Sequence, residues 1–226
     1  MTKSIHAFVL HKHWSGDASA RVYFFTRELG LIHCLCKGGR NQKKQSLLQA
    51  FTPLWLAVDE RYDRHFVRNI ESTQPMLSLL GTALFSGLYL NELLYYVLKP
   101  EQPDLVLFDA YYSSLQSLAQ ATNQKEIEST LRRFEWTLIN ACGYSFSWTE
   151  EAGGGSIINS ESAYRFVAGE GFVQKSVGIP GSHILALAED NLEEAALLKS
   201  AKIIMRQAID HLLSGREIKA RSLFGR

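Results

Sequence analysis

The chain has 226 residues, of which 46% are apolar and 21% charged; this excludes disordered, collagenous and disulfide-scaffold classes and leaves one large or two small globular domains. Three cysteines, Cys34, Cys36 and Cys142, are too few and too scattered for a disulfide framework and suit a reducing compartment. The net charge of +1 hides an asymmetry: residues 1–80 carry 11 Lys and Arg against 6 Asp and Glu, residues 81–153 carry 4 against 9, and residues 154–226 carry 9 against 8. A basic first part is a recognised hint of contact with nucleic acid or a membrane surface.

In chain order, residues 6–14 and 21–26 read as strands, the break at Ser15, Gly16 and Asp17 being turn chemistry. The apolar run Phe8 to Leu10 is too short for a secretory signal. A third strand over 31–37 ends before Gly38 and Gly39, and strands over 52–58 and 65–70 complete a set of about five, the pattern of a small barrel or sandwich. Residues 40–46, with Arg40, Lys43, Lys44 and no acid, read as a mobile loop between the third and fourth strands.

After Pro75 the period changes. Residues 82–98 are apolar nearly all round, as a central buried helix is, and Pro100 stops them. Residues 104–119 and 125–141 are two further helices, the second closed by Gly143. Gly153 to Gly155 lie in a loop, and two short strands flank 169–171. Residues 191–213 form a long amphipathic helix with Asn191 as its cap and Glu193 and Glu194 in its first turn. No stretch approaches the roughly 20 apolar residues of a membrane helix, so no membrane partner is expected. The fold class is α+β, with a β domain over 1–78 followed by a helical domain over 79–226.

Catalytic templates are absent: there is no GxxxxGK[ST], GxGxxG, GxSxG or HExxH. His11 and His13 share one strand face and Cys34 and Cys36 another, which could supply nitrogen and sulfur ligands to zinc. The competing reading, favoured here, makes Ile32, Cys34 and Cys36 the small apolar lining of a barrel. No catalytic residue, metal ligand or cofactor is therefore assigned.

Basic positions carry more. Lys37, Arg40, Lys43 and Lys44 are candidates to neutralise phosphates. In the second strand Val22 and Phe24 fill the barrel, leaving Arg21, Tyr23 and Phe25 on the other face, where an exposed ring can stack a base; the alternative is that Tyr23 or Phe25 is covered by the helical domain. Lys199, Lys202 and Arg206 form one stripe on the last long helix and are either a solvated face or a further DNA contact. Arg132 and Arg133, beside Leu131, Phe134 and Trp136, either bind a carboxylate-bearing peptide with an apolar residue or pair internally with Glu128 or Glu135.

Several blocks, in order and at matching spacing, resemble the bacterial recombination mediator family RecO. They are AFVLH at 7–11, Phe25-Thr26 with Gly30, KGGR at 37–40, QAFTPL at 49–54, LFSGLYLNELL at 84–94, LRRFE at 131–135 and CGY at 142–144. The resemblance runs nearly end to end. It implies an N-terminal OB-fold barrel, a helical domain, and a non-catalytic cytoplasmic, nucleoid-associated role in the RecF pathway of DNA repair. The implied partners are single- and double-stranded DNA, which it anneals, RecR, the acidic phenylalanine-ended C-terminal tail of single-strand-binding protein (SSB), and RecA indirectly. By the same resemblance Arg132 is the candidate for the tail's carboxylates and Leu84, Leu88 and Phe134 for its pocket. Some members carry four zinc cysteines in the helical domain, where this chain has only Cys142, so no zinc is expected. The alternatives are a metal-dependent nucleic-acid enzyme using His11, His13, Cys34 and Cys36, and a protein-interaction scaffold that binds no DNA.

Overall fold

Alternating apolar residues close a five-stranded barrel in a computed structural model that describes residues 2–15, 19–38, 41–61 and 64–225. Its strands are β1 (Thr2–Ser15), β2 (Ser19–Thr26), β3 (Gly30–Cys36), β4 (Leu54–Arg61) and β5 (Arg64–Ser72). They run in the order β1-β2-β3-β5-β4, with β4 pairing back onto β1, an OB-like topology. All neighbours are antiparallel except β3 and β5, which pair in parallel through Cys34↔His65 and Leu35↔Phe66. Every second residue of β2 (Ala20, Val22, Phe24) and of β3 (Ile32, Cys34, Cys36) faces inward to meet Ile5, Val9, Leu56 and Val58, as a strand period of two requires. The segment expected as a loop instead contains a short helix, α1 (Gln42–Leu47), started by Asn41, whose side chain accepts from the Lys43 backbone N–H.

The chain forms two compact units, Met1–Gln120 with Ile218–Arg226 and Ala121–Glu217. The expected boundary after residue 78 separates the barrel from its first long helix, whereas the compact units divide after Gln120. The reason is packing: α2 (Gly81–Val97) and α3 (Leu105–Gln120) cover the barrel. Phe8 and Phe25 meet Phe108 at ring-centroid distances of 5.7 and 5.2 Å and Tyr111 at 5.2 and 5.8 Å. Of the two readings open for Phe25, a stacking ring or one covered by the helices, the structure shows the second: it is fully buried. Gly87 lets α2 approach closely, since a Cβ there would lie 2.5 Å from Leu79 Cδ1 and 2.9 Å from the Phe51 ring. The Thr26 hydroxyl donates to the Gly30 carbonyl at 2.8 Å. Gly30 has φ +68°, and a Cβ on it would stand 2.2 Å from the Gln102 carbonyl oxygen, so only glycine suits that turn. A terminal 3-10 helix, Lys219–Gly225, packs on α2, with the Lys219 and Ala220 backbone N–H groups donating to the Glu92 carboxylate at 3.0 and 2.8 Å.

The second unit contains α4 (Gln124–Ala141), the sheet β7-β6-β8 built from β6 (Ala163–Val167), β7 (Gly171–Lys175) and β8 (Ile179–Pro180), then α5 (Gly181–Ala188) and α6 (Ala195–Leu212). The hairpin β6-β7 matches the expected pair of short strands. Asn123 caps α4 by accepting from the Glu126 N–H at 3.0 Å, while the Glu126 carboxylate accepts from the Thr122 N–H at 2.6 Å. The last long helix begins four residues later than expected. Asn191 Oδ1 accepts from the Glu193 N–H at 3.1 Å and turns the chain locally, and Glu194 becomes the extended residue preceding the helix.

Candidate functional site

A β-bulge between Val9 and His11 shifts the register of β1 against β2 and redirects the side chains that follow it. Beyond the bulge, His11, Tyr23 and His33 form one cross-strand row and His13, Arg21 and Leu35 the next. None of the six is acidic. The His11 and His13 rings are 4.1 Å apart, and Tyr23 lies 6.2, 6.1 and 6.1 Å from His11, His13 and His33. Tyr23 is half-buried because Tyr95 of α2 meets it edge-on at 5.1 Å, whereas Arg21 and the three imidazoles are exposed. Partial burial, reinforced by neighbouring His13, holds the His11 imidazole below its ordinary value, so at neutral pH it is an uncharged ring rather than a cation.

The basic segment lies next to this face in sequence and is held to the barrel at two points. Lys44 Nζ donates to the Lys37 carbonyl at 2.8 Å, which brings those two together. Lys12 Nζ donates to the Leu48 carbonyl at 2.8 Å and lies 5.9 Å from the centroid of the exposed Trp14 ring. Lys37 and Lys43 are exposed and Lys44 is partly covered; Arg40 lies outside the described residues. Lys12, Trp14 and Tyr95 were not among the sequence candidates. For Lys12 and Trp14 the signal was there, since they sit beside His11 and His13 on one strand.

The zinc alternative fails on geometry. Cys34 and Cys36 are inside the barrel and buried, while His11 and His13 are on the outside, so the four do not converge. Burial also pushes the Cys34 thiol up and, against the nearby Lys44 charge, the Cys36 thiol up to about 12, which disfavours the thiolates a metal needs. Among the described residues no group of three or more His, Cys, Asp or Glu is arranged to hold a metal ion, and no helix is long and apolar enough to cross a membrane.

In the second unit Lys199, Lys202 and Arg206 are all exposed on α6. Lys202 reaches Glu128 of α4 at 3.4 Å, so one member of the stripe has an internal partner.

A cavity of about 290 Å³ opens beside α4. Arg132, Arg133, Trp136 and Thr137 line it from α4, Trp148 from the segment after that helix, and Leu187, Leu192 and Met205 from the α5–α6 side. Trp136 and Trp148 pack edge to face at 5.2 Å, with the Phe146 ring 4.9 Å from each. The two arginines are held differently. Arg132 is buried, its Nη2 donates to Glu135 Oε1 at 2.8 Å, and its Nε makes no hydrogen bond among the described residues. Arg133 is exposed and its Nε donates to both carboxylate oxygens of Asp190 at 3.0 and 2.8 Å. The internal pairing expected as one option for these residues is thus with Glu135 for Arg132, and with Asp190 rather than Glu128 or Glu135 for Arg133.

The other residues expected at the tail pocket are not among those lining this cavity. Phe134 is buried and does not line the cavity; it lies two positions from Arg132, about 200° round the helix. Leu84 and Leu88 belong to α2 in the first unit. The i, i+4 pairs Arg132–Trp136 and Arg133–Thr137 were the readable signal for the lining of this cavity. Nothing in the sequence linked them to Trp148, Leu187 or Met205.

The fold is that of an α+β protein with an OB-like closed barrel in one compact unit and helices with a three-stranded sheet in a second. The family descriptions that match are those for the recombination protein O N terminal, over residues 1–76, and the recombination protein O C terminal, over residues 81–214. The chain belongs to the RecO family. It is 63% identical over 225 residues to the DNA repair protein RecO of Legionella pneumophila strain Paris, covering 99% of this chain and 98% of that protein. It is 35% identical over 224 residues to the protein of that name from Salmonella dublin, covering 96% and 92%, and 33% identical over 224 residues to that of Aliivibrio fischeri strain MJ11, covering 96% and 93%.

Proposed function

We propose that this RecO-family chain is a non-catalytic mediator of DNA repair and recombination acting on nucleoid DNA in the cytoplasm. It binds single- and double-stranded DNA on the outer face of β1–β3 and the Lys37, Lys43 and Lys44 rim. It anneals complementary strands, captures the acidic tail of SSB in the Arg132–Arg133 cavity and, with RecR, helps load RecA onto SSB-coated DNA. Annealing needs no reacting group: two polyanions are held together with their charge screened, and base pairing supplies the free energy.

The observation that carries this reading is the division of labour between two unlike surfaces. Two cross-strand rows without a carboxylate suit a polyanion and its bases. A cavity edged by two guanidinium groups over an indole pair suits a peptide with both acid and apolar ends. Relatives named DNA repair protein RecO support the same assignment.

The test is annealing of SSB-coated complementary strands with and without the protein. Acceleration is expected, and it should drop sharply for Arg133→Glu on coated strands while naked-strand annealing is retained. Arg133 is chosen because Arg132 neutralises buried Glu135 and its loss would endanger folding. No acceleration on either substrate would overturn the mediator reading; equal loss on both would remove the cavity from it.

A further inference from the structure

We propose that Asp190 is a built-in competitor for the peptide cavity: its carboxylate occupies Arg133 in the empty protein and must be displaced by an incoming acidic ligand. This rests on the tail-binding reading above and adds a residue that sets the affinity and acid requirement of that site. Asp190 is the one carboxylate among the described lining residues, and it engages Arg133 Nε through both oxygens. A ligand carboxylate pairing with this guanidinium through two N–H groups would contend with the Asp190 carboxylate already held at Nε.

The backbone holds Asp190 there. It follows α5 with φ +56°, a left-handed conformation uncommon for residues other than glycine, asparagine and aspartate, and its N–H donates to the Leu187 carbonyl at 3.1 Å. The pair it makes is exchangeable. Both side chains are more than half exposed, at 53% and 63%, and exposed ion pairs are weak. Arg132 contrasts with this, since its Glu135 partner is one turn away on the same helix and both are buried. Arg132 is therefore a fixed cation at the cavity wall, whereas Arg133 changes partner.

Asp190→Asn separates the competitor from the fold, because asparagine tolerates left-handed backbone and keeps the side-chain size. The probe is a labelled acidic peptide ending in a free phenylalanine carboxylate, titrated by fluorescence anisotropy at fixed salt. Asp190→Asn should tighten binding by roughly two- to fivefold, the upper part of the range of an exposed ion pair. Glu189→Gln, which removes the same charge one residue away, should change it by less than about twofold, and Asp190→Asn should add nothing in an Arg133→Ala background. Unchanged or weaker binding by Asp190→Asn, an equal gain from Glu189→Gln, or a gain that persists without Arg133 would each overturn the competitor role while leaving peptide binding by the wild type intact. If neither wild type nor Asp190→Asn binds the acidic peptide better than a neutral scrambled one, the tail-binding reading falls, and the competitor with it.

Discussion

The Tyr111 hydroxyl donates to Asn91 Oδ1 at 2.5 Å, and Asn91 in turn donates through Nδ2 to the Val9 carbonyl at 3.3 Å. One buried amide thus ties α3, α2 and the barrel wall together immediately before the bulge that sets the direction of His11. Asn91→Leu should cost about 1–3 kcal/mol, the penalty for stripping buried polar groups of a partner. Adding Tyr111→Phe should recover part of that loss, because the phenol no longer needs an acceptor. Urea unfolding of the two single variants and the double variant measures both effects, and strict additivity would contradict the linkage.

Two glycines with nearly the same backbone separate strain from crowding. Gly30 and Gly38 have φ +68° and +69°, but a Cβ on Gly30 would meet the Gln102 backbone at 2.2 Å whereas one on Gly38 meets nothing within 4 Å. Gly38→Ala should cost about 1 kcal/mol, the conformational penalty alone. Gly30→Ala should cost clearly more, since backbone must move as well. Equal losses in thermal melts would show that the Gly30 turn yields freely.

The basic rim acts through charge, so its signature is salt dependence. Changing Lys37, Lys43 and Lys44 to Ala should lower single-strand affinity and flatten the plot of log affinity against log salt by about 0.7 for each phosphate that is no longer neutralised. Tyr23→Ala should weaken single-strand binding with little change of slope, because stacking is not an ionic interaction. An unaltered slope in the triple variant would remove these lysines from the DNA surface.

His11 gives the barrel a pH dependence of defined sign. Its folded value lies below the ordinary 6.5 because burial and His13 disfavour the cation. Just below that ordinary value the unfolded chain binds more protons than the folded one, so this residue's contribution to stability falls as pH drops below about 6.5. His11→Gln should flatten that part of a stability–pH profile, and an unchanged profile would show that the site is not coupled to folding.

The barrel was legible because its strands obey a period of two: Val22 and Phe24 faced inward as expected, as did Cys34 and Cys36. Its closure was not, since β3 and β5 pair in parallel between residues some thirty positions apart, with no turn between them to announce it. The helix α1 was missed because it buries no residue fully and so shows no apolar stripe; Asn41 was its only local mark. In the second unit Arg132 and Arg133 stood out as a basic pair in an otherwise acidic stretch. Leu84 and Leu88, the other residues expected at the tail pocket, do not line that cavity; an apolar helix position does not reveal which partner it packs against. Asp190 could not have been paired with Arg133 by any spacing rule, as 57 residues separate them.

The return of residues 218–225 to α2 makes the second unit an insertion within the first. That unit is double-tethered: the chain enters it from α3 and leaves it for a segment whose backbone is clasped by Glu92. A single proteolytic nick inside residues 121–217 would therefore leave both resulting pieces moored to the barrel, one by peptide bonds and the other by its docked end.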